Sequence, residues 1–387
     1  MSVTETPETS SCSPSGEDDR FGDESAARDG VLDCPVRIKY LCRGRGGGGK
    51  SGCGESTDQS CFPDSARRPE WSDTRDLIPT FQSGSTESIA MTRFATVRGR
   101  HVIVRRQLIV NADDFGLASS VSQGIIEAHQ AGHVTSTTLM VNAPGTDEAV
   151  GLAEANPRLG VGLHFNLTEG RPLTDVPSLV DAQGNFLIRG SLLRRSAFGR
   201  IDPADVAGEL EAQLNRFSDL GLEPTHLDSH EHVHMAPPLF RAMEPVLRDR
   251  VSALRVVEPD GIGIGGGGPI SRGRELALQI SARLVRRRFG GLTNARLVSV
   301  HQLGLKQAWS RDSYRSLVES VPVDGVTELM VHPFADAADL MARYANDPMR
   351  DTRLAFIEKC RIEHRILTSS GIFEGLEVVL CNYQDLV

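Results

Sequence analysis

The stretch Leu108-Ile-Val-Asn-Ala-Asp-Asp-Phe-Gly116 decides how this chain is read. An apolar run, Leu108-Ile109-Val110, stops at two adjacent carboxylates, Asp113 and Asp114, and then at Gly116. Consecutive residues on a strand point to opposite faces. Two carboxylates at the end of a buried strand are therefore free to take different tasks, one holding a cation and the other moving a proton. Leaving both idle beside a core is costly, because a buried charge needs a partner.

Working outward, the chain from Arg106 alternates strand and helix. Strands are expected at Leu108–Val110, Ser136–Val141, Gly160–Asn166, Thr225–His230, Leu254–Val257, Leu297–His301, Val326–His332 and Val378–Cys381. Helices are expected at Ser119–Gly132, Asp147–Asn156, Pro203–Leu220, Pro237–Arg248, Ser271–Phe289, Ser310–Ser320 and within Arg350–Ser369. This alternation predicts an α/β fold with a parallel sheet, and seven or so units favour closure into a barrel. Residues 106–387 are read as the folded domain.

Residues 1–105 differ. They are rich in Ser, Gly, Asp, Glu and Arg and carry no sustained period of 3.6 or 2, so they are expected to form a disordered extension. Met91 lies shortly before the first strand and is a candidate translation start. Gly44-Arg-Gly-Gly-Gly-Gly-Lys50-Ser51 matches a phosphate-loop pattern, but no strand precedes it and Ser51-Gly-Cys-Gly-Glu-Ser is no helix, so a nucleotide site is rejected. Gly263–Gly268 reads as a flexible loop.

The 387 residues carry a formal net charge of -9, which argues against a nucleic-acid footprint or an anionic membrane surface. No apolar run approaches the roughly 18 residues needed to span a bilayer, and no secretory signal is read at Met1; a cytoplasmic protein is expected. The 7 cysteines form no Cys-x-x-Cys pair and are read as reduced thiols.

Three further polar clusters fall at predicted strand ends, the face on which barrel active sites form. They are Gly162-Leu-His164-Phe-Asn166, Thr225-His-Leu-Asp228-Ser-His230-Glu-His232-Val-His234 and Leu329-Met-Val-His332-Pro333. Histidine is the commonest neutral nitrogen ligand for a metal, and Asp228 is placed to fix a ring tautomer. Singly, each has an ordinary explanation: a satisfied core histidine, an element end, a helix N-terminus. Four such clusters at one end of alternating elements are what a site looks like.

On these residues the chain from Leu108 onward resembles the YdjC-like carbohydrate deacetylases, most closely the chitooligosaccharide deacetylase group. The matching stretches are Ile109–Leu117, Gly124–Ala128, Val134–Thr138, Gly162–Phe165, Thr225–Met235 and Val331–Pro333. The resemblance implies a distorted TIM-like (β/α) barrel that hydrolyses the acetamide of N-acetylglucosamine-containing oligosaccharides, with a divalent metal ion, magnesium or zinc. It implies Asp114, His164 and His230 as metal ligands, Asp113 as general base and His332 as the acid assisting the leaving amine, often in a homodimer. Two departures stand out: Glu231 replaces a common third His, and Phe334 follows Pro333 where small residues are usual. The alternatives are a deacetylase of another glycan or glycolipid, such as a hopanoid-linked N-acetylglucosamine, and a metal-dependent carbohydrate-binding protein without catalysis.

Overall fold

The computed structural model describes residues 94–97, 100–103, 105–258, 269–300, 309–347 and 349–386. Most of the proposed N-terminal extension, with the phosphate-loop pattern and five of the cysteines, lies outside the described residues, as do Gly263–Gly268 and His301. In the chain order of the described residues, β1 (Phe94–Val97) and β2 (Arg100–Ile103) form an antiparallel pair that the sequence reading does not include.

The domain proper alternates strand and helix: β3 (Arg106–Phe115), α1 (Ser119–Gln130), β4 (Ser136–Leu139), α2 (Thr146–Glu154), β5 (Gly160–Phe165), α3 (Arg189–Ala197), α4 (Pro203–Asp219), β6 (Leu227–Ser229), α5 (Pro237–Arg250) and β7 (Ala253–Leu254). Then come α6 (Pro269–Phe289), β8 (Leu292–Thr293), β9 (Arg296–Val298), α7 (Arg311–Ser320), β10 (Val326–Val331), α8 (Ala338–Arg343), α9 (Arg350–Leu367) and β11 (Val378–Cys381). Helix α3 was not expected. It buries only Leu192 and Ser196, so it carries almost no apolar period to read. Among the described residues, no helix is long and apolar enough to cross a membrane.

The strands pair in parallel in the order β8-β7-β6-β5-β4-β3-β10-β9, with β11 added on β3. The two ends of this order, β8 and β9, are separated in sequence by only Asn294 and Ala295, so the sheet has to curl until its edges approach. Among the described residues no ladder joins those edges. The Asn294 side chain spans the gap instead: its Oδ1 accepts from Val256 N at 2.7 Å, and its Nδ2 donates to Val256 O and Arg296 O at 3.1 and 3.0 Å. The fold is a distorted, incompletely closed TIM-like barrel.

The main apolar core lies between strands and helices, with Val110, Phe115, Leu163, Phe217, Phe240 and Leu329 all buried. Inside the curl, the inward parity of β3 reads Ile109, Asn111, Asp113. A small apolar plug of Ile109, Ala253, Cys381 and Tyr383 gives way to polar groups toward the strand ends. Cys360 and Cys381 are buried free thiols.

Helix α1 packs directly on the loop that follows β10. A Cβ added at Gly124 would lie 2.1 Å from Pro333 O and 2.7 Å from Ala335 N. Helix propensity alone favours Ala over Gly by about 1 kcal/mol. Packing against backbone that cannot yield reverses the sign. Gly124→Ala is expected to destabilise by ~1–3 kcal/mol in urea unfolding; a gain in stability would contradict the close packing.

Candidate active site

The two carboxylates of the opening stretch are set apart by a bulge. Between Ala112 and Phe115 strand β3 advances three residues while β4 advances two, from Thr137 to Leu139. The extra residue is taken up by Asp114, which sits at φ 69° in the left-handed region. Strict alternation would send the two side chains to opposite faces. The bulge instead turns both to line one cavity of about 650 Å³ at the strand ends.

Asp113 is gripped from below. Arg255, just past β7, gives a two-pronged contact, Nη1 to Oδ2 and Nη2 to Oδ1, both at 2.6 Å. Asn111 Nδ2 donates to Oδ1 at 3.0 Å. The same guanidinium reaches Asp228 Oδ2 at 2.6 Å and Glu328 Oε1 through Nε at 2.7 Å. The Tyr383 hydroxyl donates to the other Glu328 oxygen at 2.7 Å. Arg255, Asp228 and Glu328 are each 0% exposed.

Asp114 meets two imidazoles. Its Oδ1 lies 3.2 Å from His164 Nε2 and 2.9 Å from His230 Nδ1. Strand register explains the next contact: His164 on β5 is paired with Asp228 on β6, so their side chains share a face, and His164 Nδ1 meets Asp228 Oδ1 at 2.6 Å. That contact places a ring proton on Nδ1 and turns Nε2 toward Asp114 and the cavity. Thr138 Oγ1 steadies the pair by donating to Asp228 Oδ2 at 3.2 Å. One ligand atom from each of Asp114, His164 and His230 falls within 4.8 Å of the others, a donor set that suits a divalent cation.

The remaining histidines of the rich cluster scatter. Strand β6 is only Leu227–Ser229, and a tight turn over His230–Met235 follows, with Glu231 and His232 at φ 53° and 58°. The extended run expected to His230 is therefore cut short at Ser229. His226 is buried under the Tyr383 ring, with centroids 4.0 Å apart. His234 is buried between Ser229 Oγ and Arg255 O. His232 lines the cavity. His332 follows the last paired residue of β10 and lies in the cavity wall, edge-on to Phe356 with centroids 5.3 Å apart and to Phe334 at 6.4 Å.

The charge states follow from these neighbours. Burial alone pushes the Asp114 carboxyl up, but His230 and His164 outweigh it and hold it well below the carboxylate range. Burial likewise works against Asp113 ionising, and Arg255 prevails, keeping its carboxyl below the ordinary value. For His164, burial opposes the charged ring, yet Asp228 and Asp114 win and push it up to about 10. His230 is raised by Asp114 against the same opposition. Burial, with no comparable partner, carries His226 and His232 down to about 3 and His234 to about 4, so these three rings are neutral.

The structure thus gathers Asp113, Asp114, His164, His230 and His332 at one cavity. Sequence reasoning passed over Arg255, Glu328 and Tyr383. A signal existed for the first two: each is a lone charge inside an apolar strand segment, Ala253-Leu-Arg-Val-Val257 and Val326-Thr-Glu-Leu-Met-Val331. Nothing about Tyr383 distinguishes it in sequence.

Comparison with known proteins places this geometry. The family model for YdjC-like proteins matches residues 107–377. A carbohydrate deacetylase of Geobacillus stearothermophilus is 53% identical over 139 residues, 36% of this chain and 55% of that protein. A chitooligosaccharide deacetylase of Yersinia pestis is 45% identical over 154 residues, 40% of this chain and 60% of that protein. The aligned part of this chain therefore spans a little over half the length of these curated relatives. A crystal structure titled as a putative cellobiose-phosphate cleavage protein from Enterococcus faecalis is 28% identical with a TM-score of 0.55, covering 73% of this chain and 99% of that one. With the family model matched across the barrel and its site, the chain belongs to the YdjC-like family.

Proposed function

We propose that this protein is a metal-dependent carbohydrate deacetylase that hydrolyses the N-acetyl group of N-acetylglucosamine units in chitooligosaccharides and releases acetate. The observation that carries this reading is the division of labour between neighbours: Asp114 is committed to two histidines, while Asp113 is held ionised by Arg255 at the same cavity. The naming of the relatives as carbohydrate and chitooligosaccharide deacetylases supports the substrate class.

Asp114, His164 and His230 would hold the cation, magnesium or zinc, with Asp228 locking the His164 ring behind them. A divalent cation bound there supplies polarisation of the acyl carbonyl and a more acidic water. The chain's own groups do the proton work. An ionised carboxylate offers about four acceptor positions. Arg255 and Asn111 occupy two on Oδ1 and one on Oδ2 of Asp113, which leaves Oδ2 able to take the proton of the attacking water. His332, in the wall of the same cavity, gives a proton to the departing sugar amine, a poor leaving group otherwise. Acetate and the free amine result.

A second reading, removal of acetyl from a sugar carried on an apolar aglycone, draws on the mouth of the cavity, where Ile188 and Met349 are 61% and 53% exposed. Relative rates on diacetylchitobiose and on a lipid-linked N-acetylglucosamine separate the two.

Acetate release from diacetylchitobiose is expected with the metal-loaded protein and not after chelation. Asp113→Asn should retain the metal and lose about 10²–10⁴ in rate; full activity would refute the base. His230→Ala should lose metal and rate together. Without metal, His164 is protonated at neutral pH, because its partners raise it to about 10. Loading requires its Nε2 lone pair, so metal binding should release a proton. Titration calorimetry in buffers of different ionisation enthalpy reads this directly, and a buffer-independent heat would contradict it. Affinity should fall as pH falls, since protons then compete for the ring.

A further inference from the structure

The backbone around His332 is fastened by a group that the proposed chemistry does not use. Strand pairing ends at Val331, so the His332 N–H has no sheet acceptor. It donates instead to Glu363 Oε2 on α9 at 2.7 Å. Pro333 has no N–H, Phe334 N donates to Cys360 O at 3.3 Å, and Ala335 N donates to Ser120 O at 3.0 Å. Every backbone N–H from His332 to Ala335 is thus tied to α9 or α1. Glu363 is itself 0% exposed, and its other oxygen accepts from the Tyr314 hydroxyl on α7, also 0% exposed. Burial and the adjacent Glu363 push the Tyr314 phenol well above its ordinary value, so it stays a donor.

Glu363 accepts from a backbone N–H with one oxygen and from a buried phenol with the other, which holds its carboxyl in one orientation. Its worth lies in fixing one end of a short loop whose middle residue is a proline and whose first residue faces the cavity. We infer that Glu363, braced by Tyr314, is a positioning residue that sets His332 toward the leaving group. This rests on the deacetylase reading, in which His332 protonates the amine. A shift of about 1 Å in a reacting group can cost about 10²-fold in rate.

The leaving group provides the test. Diacetylchitobiose needs a proton delivered to its amine, whereas 4-nitrophenyl acetate loses nitrophenolate without one. Both are hydrolysed by water at the same acyl carbon. In the full-length, metal-loaded protein, Glu363→Gln is expected to lower kcat on diacetylchitobiose about 10-fold or more, with KM and the rate on the ester unchanged. His332→Ala should lose more of its rate on diacetylchitobiose than Glu363→Gln does. Tyr314→Phe removes only the brace and should show the Glu363→Gln pattern more weakly, and it decides the matter if Glu363→Gln does not fold. Parallel loss on amide and ester would overturn the inference, as would no loss on either. A wild-type protein that cleaves the ester and releases no acetate from diacetylchitobiose would instead overturn the deacetylase reading.

Discussion

One guanidinium holds the inside of this barrel together. Arg255 is fully buried and contacts carboxylates from three strands: Asp113 on β3, Asp228 on β6 and Glu328 on β10. Three carboxylates so close would repel one another and shed their charge if the guanidinium were removed. Glu328 already shows the tendency, since burial raises its carboxyl despite Arg255. Lysine could not replace it, because the planar fork is what serves Asp113 with two parallel bonds while Nε serves Glu328. An ion cluster of this kind is a poor source of net stability but a strong source of specificity, since only one strand register satisfies all its members.

The cavity inherits its chemistry from that layer. Arg255 keeps Asp113 ionised. Asp228, held by the same Arg255, orients His164, and His164 with His230 keeps Asp114 ionised. Asp114 in turn raises His230, and Asp228 with Asp114 raises His164, so the two imidazoles and the carboxylates beside them support one another's charge.

Much of this was legible in the sequence, and the exceptions have physical reasons. The helix expected at Pro203–Leu220 was read within a residue, whereas the strand expected at Leu108–Val110 caught only three of the ten residues of β3, because the polar stretch Asn111–Asp114 hid its continuation. Helix α3 escaped because a helix that buries two side chains leaves no period. The Asp-Asp pair announced a site, but strict alternation suggested opposite faces, and only the bulge at Asp114 explains how both reach one cavity. Thr225–His230 was expected to be extended, yet β6 ends at Ser229, and after the turn at Glu231 and His232 only His230 of this histidine run meets Asp114, beside His164 from β5. Arg255, Glu328, Glu363 and Tyr383 went unread because their roles depend on strands and helices far apart in the chain meeting in space.

The central claim is that a single buried guanidinium fixes both the barrel interior and the ionised state of Asp113. Equilibrium unfolding of Arg255→Met tests it most directly. Removing one partner of a buried, hydrogen-bonded charge cluster costs about 3–5 kcal/mol. A loss of that size, rising with pH as the stranded carboxylates are forced to ionise, is the predicted result. A variant within about 1 kcal/mol of the wild type at neutral pH would contradict the account.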